Sequence, residues 1–159
     1  VFAVPPNTLV QDAQRAAAHP ARIAIEVAAD RSRWAHLLRY DPTERYTALL
    51  EKHGDQEIWI MSWLPGQRTE LHDHGGATGA YTIVTGTLVE RVARVADNGR
   101  PVELVHALKE GQTRVFGPNY VHEVVNEGPD PAVSIHVFEQ GRRPMPRYRM
   151  DYATGPVRD

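Results

Sequence analysis

From about Tyr46 onward the chain alternates short runs of β-branched, aliphatic and aromatic residues with Gly, Pro, Asn and Asp. The runs at 57–63, 80–84, 87–92, 113–116 and 132–138 have the length and composition of strands. Pro65 with Gly66, Gly86, Asn98 with Gly99, Gly111, and Gly117 with Pro118 supply the turns between them. Short strands at regular spacing predict an antiparallel barrel or sandwich. The first forty residues read as helical. Asn7 or Thr8 can cap a helix over 9–18 that His19 and Pro20 stop, and a second helix covers 28–39 with Trp34, Leu37 and Leu38 on its apolar side. Asp41 and Pro42 end it. The expected architecture is therefore mainly β: a helical segment (1–40) lying on a β-barrel (44–150), within one domain over 1–159. A chain of 159 residues is long enough to enclose a core of that kind.

Charge adds an exclusion. A net charge of -2 gives no general attraction to nucleic acid or to an anionic membrane. Arg142, Arg143, Arg147 and Arg149 do cluster near the C-terminus, but Asp151 and Asp159 stand beside them, and a solvated face accounts for the group. Cysteine is absent, which excludes disulfides, thiolate ligands and a cysteine nucleophile. Any metal must be held by His, Asp or Glu. No apolar run reaches the length of a membrane span, no signal-peptide pattern opens the chain, and cytoplasm is the expected location. The first residue is Val1 rather than Met, so the start reads as trimmed and a lost leader stays open.

The candidate chemistry lies in the histidines. His72 and His74 are one residue apart in what reads as a strand entry, and alternate side chains of extended backbone share a face, so both imidazoles can meet one ion. A lone pair of this kind is common on surfaces, and the frame around it strengthens it. Gly66, five residues, His72, Asp73, His74, four residues, Gly79, six residues and Gly86 follow in order. His122 comes later, after Gly117 and Pro118, with Asn126 beyond it. These spacings resemble the two motifs of the cupin family, and the resemblance implies a barrel metal site on His72, His74 and His122. The competing account makes them barrel histidines bonded to backbone.

The glutamate that usually completes the first cupin motif is replaced by Thr78 or Gly79, neither of which brings a carboxylate. Three neutral imidazoles leave the full charge of a divalent ion and several open positions. Such a site suits an incoming anion, and a thiolate is a good candidate because coordination deprotonates a thiol. Iron oxygenases more commonly use two histidines and a carboxylate. Ligand type alone leaves nickel, manganese and zinc open beside iron.

The stretch from Trp63 to Ala80 (WLPGQRTELHDHGGATGA), the lead-in 28–34 and the later Ser134, Ile135, His136, Val137 run resemble the bacterial branch of the cysteine dioxygenase family. The resemblance covers roughly 27–138. It implies a mononuclear iron(II) cupin that adds both atoms of dioxygen to a thiol to give a sulfinate, with His72, His74 and His122 as iron ligands. The family's Ser-x-His-x-Tyr run falls on Ser134, His136 and Phe138. Strand alternation puts these on one face, so that Ser134 can orient His136 over the substrate; the competing account is a hydrogen-bonded core histidine. Phe138 lacks the family's tyrosine hydroxyl. The cysteine–tyrosine crosslink of animal members cannot form, since Gly79 stands at the cysteine's place.

The arginine that clamps the substrate carboxylate in cysteine-specific members falls on Ala48, where relatives acting on mercaptopropionate-like acids carry glutamine. A guanidinium is the natural bidentate partner of a carboxylate. Either Arg68, Arg45 or a C-terminal arginine takes its place, or the substrate lacks that group or is bulkier. Arg68, four residues before His72, is the candidate substrate contact, against an exposed turn arginine. Tyr46 and Tyr81 either line the pocket or pack in the barrel. The resemblance thus implies an iron(II) thiol dioxygenase whose partners are a small-molecule thiol and O2, with a substrate other than cysteine open. An oxygenase of specialised metabolism that cleaves or rearranges a sulfur compound, and a non-catalytic metal-binding cupin, are the alternatives.

Overall fold

Every residue of Ala132–Phe138 is buried, and the run is apolar on one parity and mixed on the other. Such a strand must be covered on both faces. The computed structural model, which describes residues 19–159, places it in the middle of a sheet. Ten strands follow the chain in order. They are β1 (Tyr46–His53), β2 (Gln56–Trp63), β3 (Gly79–Thr85), β4 (Thr87–Val95), β5 (Pro101–Lys109), β6 (Thr113–Phe116), β7 (Val121–Val125), β8 (Ala132–Phe138), β9 (Tyr148–Asp151) and β10 (Gly155–Arg158). All described pairings are antiparallel. One sheet has the order β1-β2-β8-β3-β6, a second the order β5-β4-β7, and β9 and β10 form a separate ribbon.

Parity along β2 and β8 separates two cores. Met61, Trp63, Ala132 and Phe138 point inward and meet Tyr81, Ile83, Leu88, Leu108, Phe116 and Val124 between the two sheets. Ile58, Ile60, Val133, Ile135 and Val137 point the other way and pack under the N-terminal segment against Ala24, Val27 and Trp34. The period of 2 thus serves both faces of the same strands. This is the mainly β, barrel-type architecture expected from the strand runs.

The N-terminal segment corrects the helix expectations. Among the described residues, His19 and Pro20 start a helix. α1 runs Pro20–Ala29, with His19 as its N-cap and Nδ1 accepting from the Ala21 amide at 3.1 Å. Proline at the first helical position loses nothing, since its missing N–H has no intrahelical partner there. The helix over 28–39 does not form. The Asp30 carboxylate accepts from the Ser32 amide and hydroxyl, which ends α1 and starts two 3₁₀ turns, Arg31–Arg33 and Ala35–Leu37. Trp34 is buried as expected and donates to the Ala28 carbonyl at 3.2 Å. The helix over 9–18 lies outside the described residues. Among the described residues, no helix is long and apolar enough to cross a membrane.

Gly79 of β3 pairs with Phe138 on one side and Phe116 on the other. A Cβ at Gly79 would overlap the Val137 carbonyl oxygen and stand 2.7 Å from Cζ of Phe116. Backbone on one side and a ring locked in the core on the other leave little room to give. Gly79→Ala is therefore expected to destabilise the chain by about 1–3 kcal/mol or more, read as a lowered denaturant midpoint. An unchanged midpoint would mean that the strands separate freely here.

Candidate metal centre

His72 and His122 sit opposite each other in an isolated antiparallel bridge. The His72 amide donates to the His122 carbonyl and the His122 amide to the His72 carbonyl, each at 2.9 Å. Two short backbone bonds thereby hold two imidazoles side by side. His72 is otherwise in irregular chain, so the expected strand entry is reduced to this bridge and one to Arg147. His74 follows, with its ring stacked on Phe116 at 3.9 Å between centroids. All three histidines are buried, and one ring nitrogen from each lies within 4.8 Å of the others.

The hydrogen bonds decide which nitrogens face inward. His72 Nδ1 lies 2.6 Å from the Glu70 carbonyl, and His122 Nδ1 lies 2.8 Å from Oε2 of Glu90. A carbonyl or carboxylate only accepts, so both Nδ1 atoms donate and each ring turns its Nε2 the other way. His122 Nε2 faces His74 Nε2 at 3.3 Å. Burial pushes the His72 imidazole down to about 3, and burial likewise pushes His74 strongly down. Buried imidazoles with converging ring nitrogens are the donor set that a divalent transition metal takes. The residues fit such an ion.

The same burial has a cost in acid. Above about pH 6.5 a histidine is neutral both folded and unfolded, but below it the unfolded chain takes up a proton that folded His72 refuses until about pH 3. The stability of the metal-free chain is therefore present above pH 6.5 and lost as pH falls toward 3. Thermal melts between pH 7.5 and 4.5 are expected to show a falling Tm; a flat profile would contradict neutral buried imidazoles.

A cavity with an empty volume of about 280 Å³, its mouth included, opens beside these rings. Arg45, Trp63, Thr69, His136, Phe138 and Met145 complete its wall, and among the described residues no carboxylate lines it. His136 is held from behind. Trp63 Nε1 donates to Ser134 Oγ at 2.9 Å, and Ser134 Oγ lies 2.7 Å from His136 Nε2. An indole only donates, so Ser134 Oγ accepts from it; with the Ser134 hydroxyl then donating a hydrogen bond to Nε2, His136 is left with Nδ1–H as its donor. Burial pushes His136 well below its ordinary range, and the charges of Arg45 and Arg142 add to this.

Arg45, one of the arginines considered for the missing clamp, is the one that reaches the cavity. Its guanidinium lies 4.9 Å over the Trp63 ring and 2.8 Å from Met61 Sδ, and it has no carboxylate partner among the described residues. Burial, with the charge of Arg142 adding to it, lowers it to about 10. A desolvated cation without an anion is costly, and this one faces the cavity.

The structure brings together only part of the residues singled out from sequence. His72, His74, His122, His136 and Phe138 share the cavity, and Ser134 stands directly behind His136. Ala48 does not reach it. Its β1 position pairs with Ile60, on the outward parity, and it packs in the core beneath α1. Tyr46 also faces away, its hydroxyl donating to the Leu37 carbonyl at 3.0 Å. Tyr81 is buried behind the cavity, stacked parallel on His136 at 5.0 Å with its hydroxyl donated to Glu90. Arg68 is largely exposed, pairs with Glu123 at 3.2 Å, and lies in an outer groove that shares Arg45, Thr69, His72 and Met145 with the cavity. Sequence reasoning missed Glu90 and Trp63. For Glu90 the signal was available: it lies between Leu88 and Val92 on the inward parity of β4, where a lone charge needs a reason.

Comparison with known proteins gives a family and a fold. Residues 7–149 match the family described as cysteine dioxygenase type I. A solved protein of Thermus thermophilus is 24% identical, with 69% of this chain and 94% of that one covered at a TM-score of 0.57. A Klebsiella pneumoniae protein with a double-stranded β-helix domain is 22% identical over 70% and 90% of the two chains, at 0.54. A recombinant oxalate oxidase, solved with glycolate, is 16% identical over 91% and 72%, at 0.60. At these identities the likeness is one of fold, the cupin double-stranded β-helix.

Proposed function

Because the chain belongs to the cysteine dioxygenase type I family, we propose that it is an iron(II)-dependent thiol dioxygenase whose substrate is a small thiol bearing a carboxylate. One thiolate and one O2 give one sulfinate, so both oxygen atoms end on sulfur and no further reductant is needed. The observation that carries this reading is a half-buried Arg45, without a carboxylate partner among the described residues, beside three converging imidazoles.

Iron(II), when bound by His72, His74 and His122, supplies open positions for the thiolate and dioxygen and the electrons that let triplet oxygen react with sulfur. The chain supplies the rest. Arg45 meets the substrate carboxylate and fixes its distance from the metal. His136 offers an N–H donor from a ring whose tautomer is set by Trp63 and Ser134. Phe138 leaves that donor free for the substrate or oxygen, where a tyrosine hydroxyl would compete for it. Trp63, Met61 and Phe138 keep the wall otherwise dry. Arg68 and Arg147, in the outer groove, lie where an approaching anion would pass.

The test is oxygen uptake by iron-loaded protein against cysteine, mercaptopropionate, cysteamine and larger thiols. Turnover of carboxylate-bearing thiols, little of cysteamine, and a product heavier by two oxygen atoms with its carbon skeleton intact are expected. A cleaved or rearranged product would place the reaction in a different class of oxygenase. No uptake with any thiol would leave a metal-binding cupin.

A further inference from the structure

We infer that Glu90 is a positioning residue of the metal centre: its buried carboxylate selects the ring nitrogen that His122 turns to the metal and sets a negative charge directly behind that ligand. The inference rests on reading His72, His74 and His122 as the ligands.

Glu90 has no accessible surface, and a carboxylate in that position is tolerated only when its oxygens are bonded. Oε2 accepts from His122 Nδ1 at 2.8 Å and from the Tyr81 hydroxyl. Oε1 accepts from the Tyr120 hydroxyl at 2.8 Å and from Arg114 Nε at 2.9 Å. Four donors fill the acceptor capacity of the group. The orientation is directional. Arg114 reaches in from the half-exposed side and pairs with Oε1, while Oε2 faces the His122 ring. Register holds the two together, since Val92 of β4 pairs with His122 of β7 and Glu90 lies two residues earlier on the same face.

The other two ligands are treated differently. His72 Nδ1 donates to a neutral backbone carbonyl, and His74 Nδ1 is buried without a partner among the described residues. Among those residues, only His122 has an anion behind it. A bond from Nδ1–H to a carboxylate raises the basicity of Nε2 and locks the ring. The carboxylate that the coordination shell lacks at Thr78 and Gly79 is thus supplied one bond further out. Tyr81 links the same group to the cavity, because its hydroxyl is held by Glu90 and its ring is stacked on His136.

The test is binding of Co(II) alone by the wild-type chain and by Glu90→Gln, measured by chelator competition. The substitution keeps the shape and one acceptor oxygen but removes the charge. Affinity is expected to fall about 10- to 100-fold, the usual loss when such a partner is removed. A folded variant that binds Co(II) within about twofold of wild type overturns the inference. A second readout needs no variant. In the Co(II)-loaded wild type, the His122 ring N–H should give a paramagnetically shifted proton resonance that exchanges slowly with D2O, because it is buried against Glu90. A spectrum in which no shifted ring N–H resists exchange overturns the inference even if Glu90→Gln fails to fold. If the wild type takes up no Co(II), the metal-centre reading itself falls. Equal uptake by both chains defeats only the role of Glu90.

Discussion

His122→Ala is expected to lose bound iron and thiol oxidation together, with turnover falling to the level of the metal-free chain. Two effects combine. The substitution leaves two imidazoles, His72 and His74, where three nitrogens had converged. It also leaves Oε2 of Glu90 buried with one donor fewer. Loss of a hydrogen bond to a charged group costs about 1.5–3 kcal/mol, so a lower Tm should accompany the lost metal. The backbone bridge between positions 72 and 122 uses no side chain and should survive, so the variant is expected to fold. Iron content by elemental analysis and oxygen uptake on the same sample check the result. Stoichiometric iron, or turnover retained in the variant, would remove the three-histidine assignment.

The second large effect is at Arg45, where activity and stability should move in opposite directions. Arg45→Met is expected to lower kcat/KM for a carboxylate-bearing thiol about 30- to 4,000-fold. A buried charge-paired contact is worth about 2–5 kcal/mol, and each 1.4 kcal/mol is tenfold. The same substitution should raise the Tm of the ligand-free chain, because a cation held over Trp63 with no anion is replaced by an apolar side chain of similar length. Cysteamine, which has no carboxylate, should be affected far less. A variant that loses stability and treats all thiols alike would show Arg45 to be a packing residue. The comparison separates recognition from general damage, because a damaged fold does not melt later.

The strand runs and the three histidines were readable in the sequence because each depends on local spacing. Five hydrophobic runs became β2, β3, β4, β6 and β8, and His72, His74 and His122 converge as the motif spacing implied. β5 and β7 were less visible. Glu103, His106 and Lys109 interrupt the first, an edge strand, while His122 and Glu123 break the apolar run of the second. The substrate side of the site was left open between several arginines for a different reason. Whether Arg45 or Ala48 faces the cavity depends on the register of β1 against β2, and an odd-numbered step along a strand reverses the face. Alignment put the missing arginine at Ala48, which turns out to lie beneath α1. Tyr81 could be read as pocket or core, and its link to Glu90 crosses between strands whose pairing no local pattern reveals. The second helix was misplaced because its stop, Asp30, reads from sequence as one more helical residue, while its carboxylate caps a new 3₁₀ turn.

The tight contact at Gly79 bears on how such a protein can change over generations. A lineage that needed a carboxylate beside its three histidines could not recover one by a single codon change at Gly79, because the first carbon of any side chain there meets the Val137 carbonyl and Phe116. Thr78, the other candidate position, turns its hydroxyl toward Gln140 and away from the histidines. Intermediates that first move β3 away from β8 would have to survive a damaged core before gaining a ligand. Laboratory selection starting from this chain should therefore alter Arg45, Met61 or Met145 and retune the choice of thiol long before it converts the metal centre. The coordination sphere is protected by packing, while the cavity wall remains open to drift.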